Sequence, residues 1–500
     1  MSERPSPSLP GPVPAYRPAD RAVIALVGLL TVVVGALESM TIPVLPLVQG
    51  DLGLDPARAA LIPSTLTVAG ALATPFVGSL ADRYGGRRVL LAVAVLVAGG
   101  AALSALAGTF PLLVGGQALQ GVGVGVVPLG LVLLRERFPA RGRSVAVGFV
   151  AGMFTLGGGL GVVLAGPIAE GLSWRWMFGL PAAVIAVLGA VAYGVLPRQE
   201  RTVDDRRGAL DWAGGALLAG ALFSLMLALT ELPGRGWTSP FVLGFLGAAL
   251  VVGVLWALVE LRVAEPLVDV RMLARPVVLG GTLLAVVLGT GYAVAYLAIP
   301  QLVVAPAETG YGLGGTATDV GRYLLPGAAA AAVAGPLAGL AGRRFGARPV
   351  VVAGLLVAVA GALTGAWLHS AAWQLVLVFV LLGAGVGAGL TALYNGILDT
   401  VRPAETGAAT GINTVARSVG IALGLQLSAA VVARSADGSA TGLPTESGYT
   451  VSFLVAAAVT LLAVPLAWVI PRVGAGGTDE GGDAAPAPPA VTAPTRRSHP

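Results

Sequence analysis

The chain has 500 residues, of which 56% are hydrophobic and only 11% are charged, whereas about a quarter of the residues of an average soluble protein are charged. Its mean hydropathy of +0.86 excludes a water-soluble fold of this size, because the surface would be too apolar. One membrane-spanning helix needs about 20 apolar residues, so the composition predicts an all-α polytopic membrane protein. The net charge of +5 is attributed to arginine in loops that flank a membrane, and no nucleic acid partner is expected.

The residue types that are missing exclude several kinds of chemistry. The sequence has no cysteine, and all 30 basic residues are arginine, which removes disulfides, thiolate nucleophiles and the lysine of a P-loop. Its two histidines, His369 and His499, are too few and too far apart for a catalytic triad or a two-histidine zinc site. We interpret His369 as a surface residue near an outer loop, and we expect neither an enzyme nor a metal or other cofactor.

In chain order, the sequence begins and ends with segments that are not typical of folded structure. Residues 1–21 hold six prolines and are predicted to form a disordered N-terminal tail, and residues 472–500, rich in Gly, Ala and Pro, a disordered C-terminal tail. Fourteen apolar segments lie between the tails and are predicted to span a membrane: 22–48, 58–80, 89–108, 110–133, 144–168, 176–196, 209–230, 240–261, 277–300, 322–341, 349–369, 373–398, 408–433 and 450–470.

The distribution of arginine predicts how these spans are oriented. On this assignment, 24 of the 30 arginines fall on the side of the two tails, five fall on the other side, and only Arg417 lies within a span. Because arginine accumulates in cytoplasmic loops, both tails are predicted to be cytoplasmic.

An internal repeat relates the two parts of the chain. The segment GSLADRYGGR at 78–87 recurs as GLAGRRFGAR at 339–348, 261 residues later, and the Gly-x-Gly-x-Gly pattern at 121–125 recurs 262 residues later. The shared offset predicts two related six-helix bundles, residues 22–197 and 277–471. The linker between them, residues 198–276, is predicted to add two transmembrane helices.

The loop between the second and third spans resembles the signature loop of the major facilitator superfamily. Its matching residues are Gly78, Asp82, Arg83, Gly85, Arg87 and Arg88. The segments Trp174-Arg175-Trp176 and Asp211-Trp212 further resemble the fourteen-span branch of drug:proton antiporters. The resemblance implies the major facilitator fold and a cytoplasmic gate at this loop, where clustered charges latch one half against the other. A solvated, positively charged loop without a gating role is the alternative.

The fifth span carries Gly157, Gly161 and Gly166, which resemble the glycine-rich antiporter motif of the family except that Val162 replaces its proline. Small residues let helices approach closely. We therefore predict a helix-packing motif here, and a specific hinge is an equal alternative.

The first span carries Glu38, at a place where the resembled branch has an aspartate. A carboxylate inside a membrane is costly and therefore indicates a function. We predict that Glu38 couples proton movement to transport, and a hydrated carboxylate near the outer surface is the alternative.

Other polar residues within the spans are candidates for a substrate cavity. In the fourth span, Gln117 replaces the arginine that the family's motif associates with proton transfer, whereas Gln120 fits that motif. The remaining candidates are Tyr292, Tyr296, Asn395, Asn413 and Arg417. Ordinary packing is the alternative for Gln117 and the tyrosines. Because Arg417 needs an anionic partner, Asp399 is either that partner or a residue at a helix end, and Asp211 is predicted to cap a helix.

These observations and the resemblance lead to the hypothesis of a proton-coupled secondary active exporter of amphipathic small molecules, in multidrug or antibiotic efflux. The proton motive force takes the place of a cofactor, and the partners are the substrate, protons and the lipid bilayer. We expect a monomer in the inner membrane of a bacterium. The alternatives are a facilitator or proton symporter of a small metabolite, a membrane-embedded enzyme, and a sensor without transport.

Overall fold

The computed structural model describes residues 18–54, 56–137, 140–196, 211–263, 266, 268–402, 405–436 and 444–469. Most of the predicted N-terminal tail and all of the predicted C-terminal tail lie outside these ranges. The helices are α1 Pro18–Leu52, α2 Pro56–Tyr84, α3 Gly86–Ala105, α4 Phe110–Gly121, α5 Val126–Arg137, α6 Ala140–Gly171, α7 Trp176–Val195, α8 Trp212–Arg235, α9 Pro240–Glu260, α10 Val270–Leu273, α11 Pro276–Val304, α12 Ala317–Phe345, α13 Ala347–Trp367, α14 Ala372–Leu398, α15 Thr406–Ala436 and α16 Glu446–Leu466.

Fourteen of the described helical stretches are long and apolar enough to cross a membrane, and each coincides with a predicted span. The helices α4 and α5 form one of these stretches, because a short 3₁₀ turn at Val122–Gly125 joins them without a break. The described residues contain no strand. The prediction of an all-α polytopic membrane protein with fourteen spans is therefore confirmed.

The repeated loop makes the same sharp turn in both parts of the chain. Gly85 lies between α2 and α3 with φ +88°, and Gly346 lies between α12 and α13 with φ +85°. Glycine adopts this positive φ without the steric cost that a Cβ atom brings. The two loops lie on one side of the molecule, which we call the arginine-rich end because it carries Arg83, Arg87, Arg343 and Arg344. The other side, where α1 ends at Leu52, is the opposite end.

The two halves pair through corresponding helices. Gly78 on α2 lies against the backbone of Gly407 on α15, and Gly339 on α12 lies against the backbone of Ser144 on α6. In each case the glycine belongs to the second helix of one half and meets the fifth helix of the other. A side chain at either glycine would collide with backbone atoms, so these positions allow the two halves to touch at the arginine-rich end. The predicted domain boundaries near 197 and 277 stay predictions.

The helices α8 and α9 are inserted between the halves and pack against each other. Asp211 caps α8, because its Oδ1 accepts a hydrogen bond from the Gly214 N–H at 2.8 Å, and the predicted cap is confirmed. Helix α9 exposes most of its apolar side chains, with Leu250 69% exposed. In a membrane protein such a face is suited to contact with lipid.

Candidate functional site

A cavity of about 310 Å³ lies between the two halves. The first half contributes α1, α2 and α6 to its walls, and the second half contributes α11, α12, α14 and α15. Since both halves line the cavity, a movement of one half against the other would change its shape and its openings.

Glu38 of α1 and Arg417 of α15 are the charged residues among the described lining of the cavity. The positive charge of Arg417 acts on the carboxyl group of Glu38, and such an interaction is weakly screened away from water. Asp399, which the sequence offered either as the partner of Arg417 or as a residue at a helix end, ends α14 at the arginine-rich end. Arg417 lies eleven residues into α15, about 16 Å along the helix axis from that end.

Three aromatic rings form one wall of the cavity. The ring centroids of Tyr292 and Tyr296 on α11 are 5.5 Å apart, and Phe379 of α14 lies 6.3 Å and 5.8 Å from them. Other parts of the lining are small, since Gly35, Gly158, Gly159 and Gly289 also face the cavity. Flat apolar faces beside one acid and one base can hold an amphipathic molecule by stacking and by a charge-assisted hydrogen bond.

The two fourth-span glutamines predicted for the cavity are not part of its described lining. Gln120 is 2% exposed, and its amide nitrogen donates to the Ser104 hydroxyl at 2.7 Å, so it binds α4 to α3. Gln117 is fully buried and is not part of the described cavity lining. Both glutamines belong to a helix that packs closely against α3 through Gly116 and against α2 through Gly121.

The two asparagines predicted for the cavity also lie elsewhere. The amide of Asn395 on α14 donates to the Ser144 carbonyl of α6 at 3.4 Å, which joins the two halves at the arginine-rich end. The amide of Asn413 on α15 donates to the Gly281 carbonyl of α11 at 3.1 Å and is fully buried. Both prefer a neighbouring backbone carbonyl, because an unpaired amide inside a membrane protein is costly.

Asp82 of the predicted gate joins the two halves at the arginine-rich end. Its Oδ2 accepts hydrogen bonds from the backbone N–H groups of Gly407 at 2.7 Å and Ala408 at 3.2 Å, in the first turn of α15. Free N–H groups and the helix dipole make this position favourable for a carboxylate. The side chain is 7% exposed, so water screens the contact little.

The described contacts of Arg87 and Arg83 lie within the first half. Arg87 donates to the Tyr193 carbonyl at the end of α7 at 2.7 Å and lies over the Tyr193 ring at 5.3 Å. Arg83 lies 5.9 Å from the centroid of the Tyr84 ring, and Arg88 is exposed. In this loop it is therefore Asp82 and Gly78 that reach the other half through described contacts.

Sequence reasoning missed two further residues at this end, Arg135 and Glu405. Arg135 of α5 donates to the Thr406 hydroxyl at 2.6 Å and to the Val401 carbonyl at 2.7 Å, both in the other half. Glu405 forms a two-pronged ion pair with Arg275, at 2.9 and 3.2 Å. The spacing of Arg402 and Glu405 was the available signal, since residues three apart can pair at the start of a helix.

Two of the three predicted packing glycines touch a neighbouring helix. Gly157 and Gly161 face the backbone of α1 at Val32 and Ala36 so closely that a Cβ atom would collide with it. Gly166 has ordinary clearance, because a Cβ atom there would lie 3.5 Å from the Thr318 hydroxyl oxygen. The described contacts of Gly157 and Gly161 are those of tight packing against α1.

At the opposite end, His369 differs from its predicted surface position. Its side chain is 5% exposed, with Nδ1 2.9 Å from the Gly365 carbonyl and Nε2 3.2 Å from Glu446. The partner on α16 is 77 residues away in sequence, so no local pattern indicated that this histidine would be covered.

Asp51 and Arg175 form a second cluster at the opposite end, within the first half. The Trp174 indole N–H donates to Asp51 at 3.1 Å, and Arg175 pairs with it at 2.9 Å. The hydrogen bonds from Trp174 and then Arg175 hold the pKa of Asp51 below its usual range.

Comparisons with known proteins give this geometry a family. A sequence model described as Major Facilitator Superfamily matches residues 27–318 and 281–498. The chain is 29% identical to the tetracenomycin C resistance and export protein of Streptomyces glaucescens, over 74% of this chain and 68% of that protein. It is 27% identical to multidrug resistance protein 3 of Bacillus subtilis, over 53% of this chain and 51% of that protein, so the match spans about half of that relative. The solved structure of the human organic anion transporter MFSD10 (TETRAN) has a TM-score of 0.62 at 18% identity, and the match covers 90% of this chain and 100% of that one. This last likeness concerns the fold.

Proposed function

Because the chain belongs to the Major Facilitator Superfamily, a transporter family, we propose that it is a proton-coupled secondary active exporter of amphipathic small molecules, in multidrug or antibiotic efflux. The observation that carries the proposal is the cavity between the halves, in which Glu38 and Arg417 face the same space as three aromatic rings. The relatives named for resistance and export support the direction of transport.

The arrangement supports exchange by alternating access. The arginine-rich end is sealed in this conformation by Asp82, Arg135 and the Gly78–Gly407 contact. We assign this end and both termini to the cytoplasm, because arginine accumulates on that side of a membrane. The described conformation is then sealed toward the cytoplasm, and the reverse state requires these contacts to break.

Glu38 is proposed as the group that couples the proton to the substrate. A proton that reaches Glu38 neutralises it and weakens its attraction to Arg417, which changes the charge balance across the two halves. A substrate cation that binds Glu38 competes with the proton, and this competition is the basis of exchange. One proton that moves through 100 mV supplies about 2.3 kcal/mol, which sustains roughly a fifty-fold gradient.

The site supports substrates that carry flat ring systems. The rings of Tyr292, Tyr296 and Phe379 offer apolar faces, and the cavity has few fixed polar groups to demand one particular partner. This combination favours breadth over sharp selectivity. We place the protein in the inner membrane of a bacterium as a monomer.

The test is the uptake of an amphipathic aromatic dye into everted vesicles that carry an imposed pH gradient. Dissipating the gradient should abolish dye accumulation. Glu38→Gln should abolish it too, because the amide keeps the shape of the side chain and loses the titration. Glu308→Gln is the matched control, since Glu308 is exposed on a loop and should keep native uptake. Native gradient-driven uptake by Glu38→Gln would contradict the proposal.

A facilitator or proton symporter of a small metabolite is the second candidate. The observation that favours it is Gln117, which cannot titrate and stands where the family's motif has an arginine. In the same vesicles a facilitator would equilibrate the dye at a rate that the pH gradient does not change, and a symporter would reverse the direction of its response.

A further inference from the structure

The two seams between the halves are built differently. Along the seam of α6 and α12, the helices touch over their length. Gly148 meets Gly335, a Cβ atom at Gly152 would lie 2.6 Å from Ala332, and one at Gly321 would lie 3.1 Å from Val163. This seam is closed by the two helices themselves.

Along the other seam, α2 and α15 pack backbone to backbone near the arginine-rich end. Gly78 meets Gly407, and a Cβ atom at Gly411 would lie 3.1 Å from Pro75. Farther toward the opposite end, the inserted helix α8 joins them. Met226 and Leu229 of α8 are 2% and 4% exposed and form a buried cluster with Ala71 of α2, packed against Val68 of α2 and Val419, Ala422 and Leu423 of α15.

The residues that meet α8 are sequence neighbours of residues that line the cavity. Thr67 of α2 faces the cavity, and the next residue, Val68, packs against the α8 cluster. Ile421 of α15 faces the cavity, and Ala422 packs against the α8 cluster. Successive residues of a helix point about 100° apart. The wall between the cavity and α8 is therefore one helix layer thick on this side.

We propose that α8 backs the α2–α15 wall of the cavity on the lipid side: it seals the seam between α2 and α15 against the acyl chains of the bilayer. The cavity holds a carboxylate and a guanidinium, which need water or each other, so acyl chains that entered would remove their hydration. Small residues at Ala71 and Ala422 leave room for Met226 and Leu229, and the flexible Met226 side chain can keep contact while the halves move. The role of this wall in transport rests on the proposed function, but the seal itself does not.

The absence of cysteine from the sequence permits a labelling test on the full chain in liposomes. A single Thr67→Cys variant reports access to the cavity, and Leu250→Cys, on the exposed face of α9, reports access from lipid. The probes are an octadecyl maleimide, which stays in the bilayer, and a sulfonated maleimide, which stays in water. We expect the Leu250→Cys variant to react with the octadecyl reagent. The Thr67→Cys variant should react with the sulfonated reagent and resist the octadecyl one.

Opening the wall should change only the lipid route. The pair Met226→Ala and Leu229→Ala, added to the Thr67→Cys variant, should raise the rate at which octadecyl maleimide labels the cysteine at least about tenfold. Such a change corresponds to a free-energy barrier against the lipid reagent that is lower by about 1.4 kcal/mol. The sulfonated rate should change little. The matched control is Leu250→Ala with Leu258→Ala, which removes exposed side chains of α9 and should leave both rates unchanged.

Two results would overturn the seal. One is an intact chain in which Thr67→Cys reacts with octadecyl maleimide as fast as Leu250→Cys does. The other is failure of an Ala71→Cys and Met226→Cys pair to form a disulfide under mild oxidation, which would show that α8 does not lie at the seam. This second experiment does not depend on the alanine variants of α8. Since neither experiment uses a substrate or a pH gradient, failure of the transport proposal would leave these results unaffected.

Discussion

Glu405 shows how much one residue organises the arginine-rich end. Its carboxylate accepts hydrogen bonds from Arg275 at the start of α11 and from Arg402 in its own loop. Glu405 also immediately precedes the first turn of α15, where the Gly407 backbone N–H donates to Asp82. Burial alone would raise the pKa of Glu405, but the hydrogen bonds from Arg275 and Arg402 outweigh it and hold the pKa below its usual range.

This shift predicts a pH dependence of stability. Because the folded pKa lies below the ordinary value of 4.5, the carboxylate stabilises the fold above that pH, and the contribution is lost as the pH falls through the folded pKa. Glu405→Gln should lower the thermal unfolding midpoint at neutral pH by about 1–3 °C, and the difference should disappear as the pH falls through the folded pKa of Glu405. Scanning fluorimetry across pH measures it. A difference that stays constant with pH would contradict the ion-pair account, and the exposed Glu308→Gln gives the baseline.

The sequence predicted the residues that line the cavity only in part. Glu38, Tyr292, Tyr296 and Arg417 face it, because a charge or a tyrosine in a span has few other favourable places. Gln120 and Asn413 do not, because an amide is equally satisfied by a backbone carbonyl of a packed neighbour. That neighbour, Gly100 or Gly281 respectively, lies 20 or 132 residues away, so local periodicity does not reveal which way the side chain turns.

At the scale of elements, α6 carries two sets of glycines on different faces. Gly157 and Gly161 pack against α1, whereas Gly148 and Gly152 pack against α12 of the other half. The Ser39 hydroxyl strengthens the first contact by donating to the Gly158 carbonyl at 2.7 Å. The glycine pattern predicted close packing, but the assignment of faces depends on which helices are neighbours, and that follows from the tertiary fold.

The first of these faces yields a prediction for two alanine substitutions on one helix. Gly161→Ala should destabilise the protein by about 1–3 kcal/mol, the usual cost of overpacking, because its Cβ atom would collide with the Ala36 backbone. Gly166→Ala should be tolerated, since its nearest contact is an ordinary 3.5 Å. Thermal unfolding of the two purified variants decides the matter, and equal destabilisation would refute the assigned role of Gly161.

At the scale of the whole molecule, the repeat is symmetric in packing and asymmetric in charge. Gly78 and Gly339 make corresponding contacts, and Gly85 and Gly346 make the same turn. Asp82, however, corresponds to Arg343 at the same offset of 261 residues. The contact between the Asp82 carboxylate and the N-terminus of α15 therefore has no counterpart at Arg343. It belongs to the α2–α15 seam, which is also the seam that α8 covers.

The spans and the repeat could be read from the sequence because they depend on segment length and on a fixed offset, whereas the orientation stays a prediction from arginine counts. The position of α8 could not, because its apolar face is chemically the same whether it meets lipid or the α2–α15 seam. In a membrane, hydrophobicity does not distinguish these two surroundings.

The most direct test of alternating access is a pair of distance measurements by electron spin resonance on the cysteine-free chain. One spin-label pair, at Tyr84 and Phe345, reports on the arginine-rich end, and another, at Leu172 and Glu308, reports on the opposite end; all four positions are exposed. Acidic buffer or Glu38→Gln should lengthen the first distance and shorten the second, and Asp82→Asn should lengthen the first, because it weakens the contact with α15. Distances that stay constant, or that change in the same direction at both ends, would contradict the account.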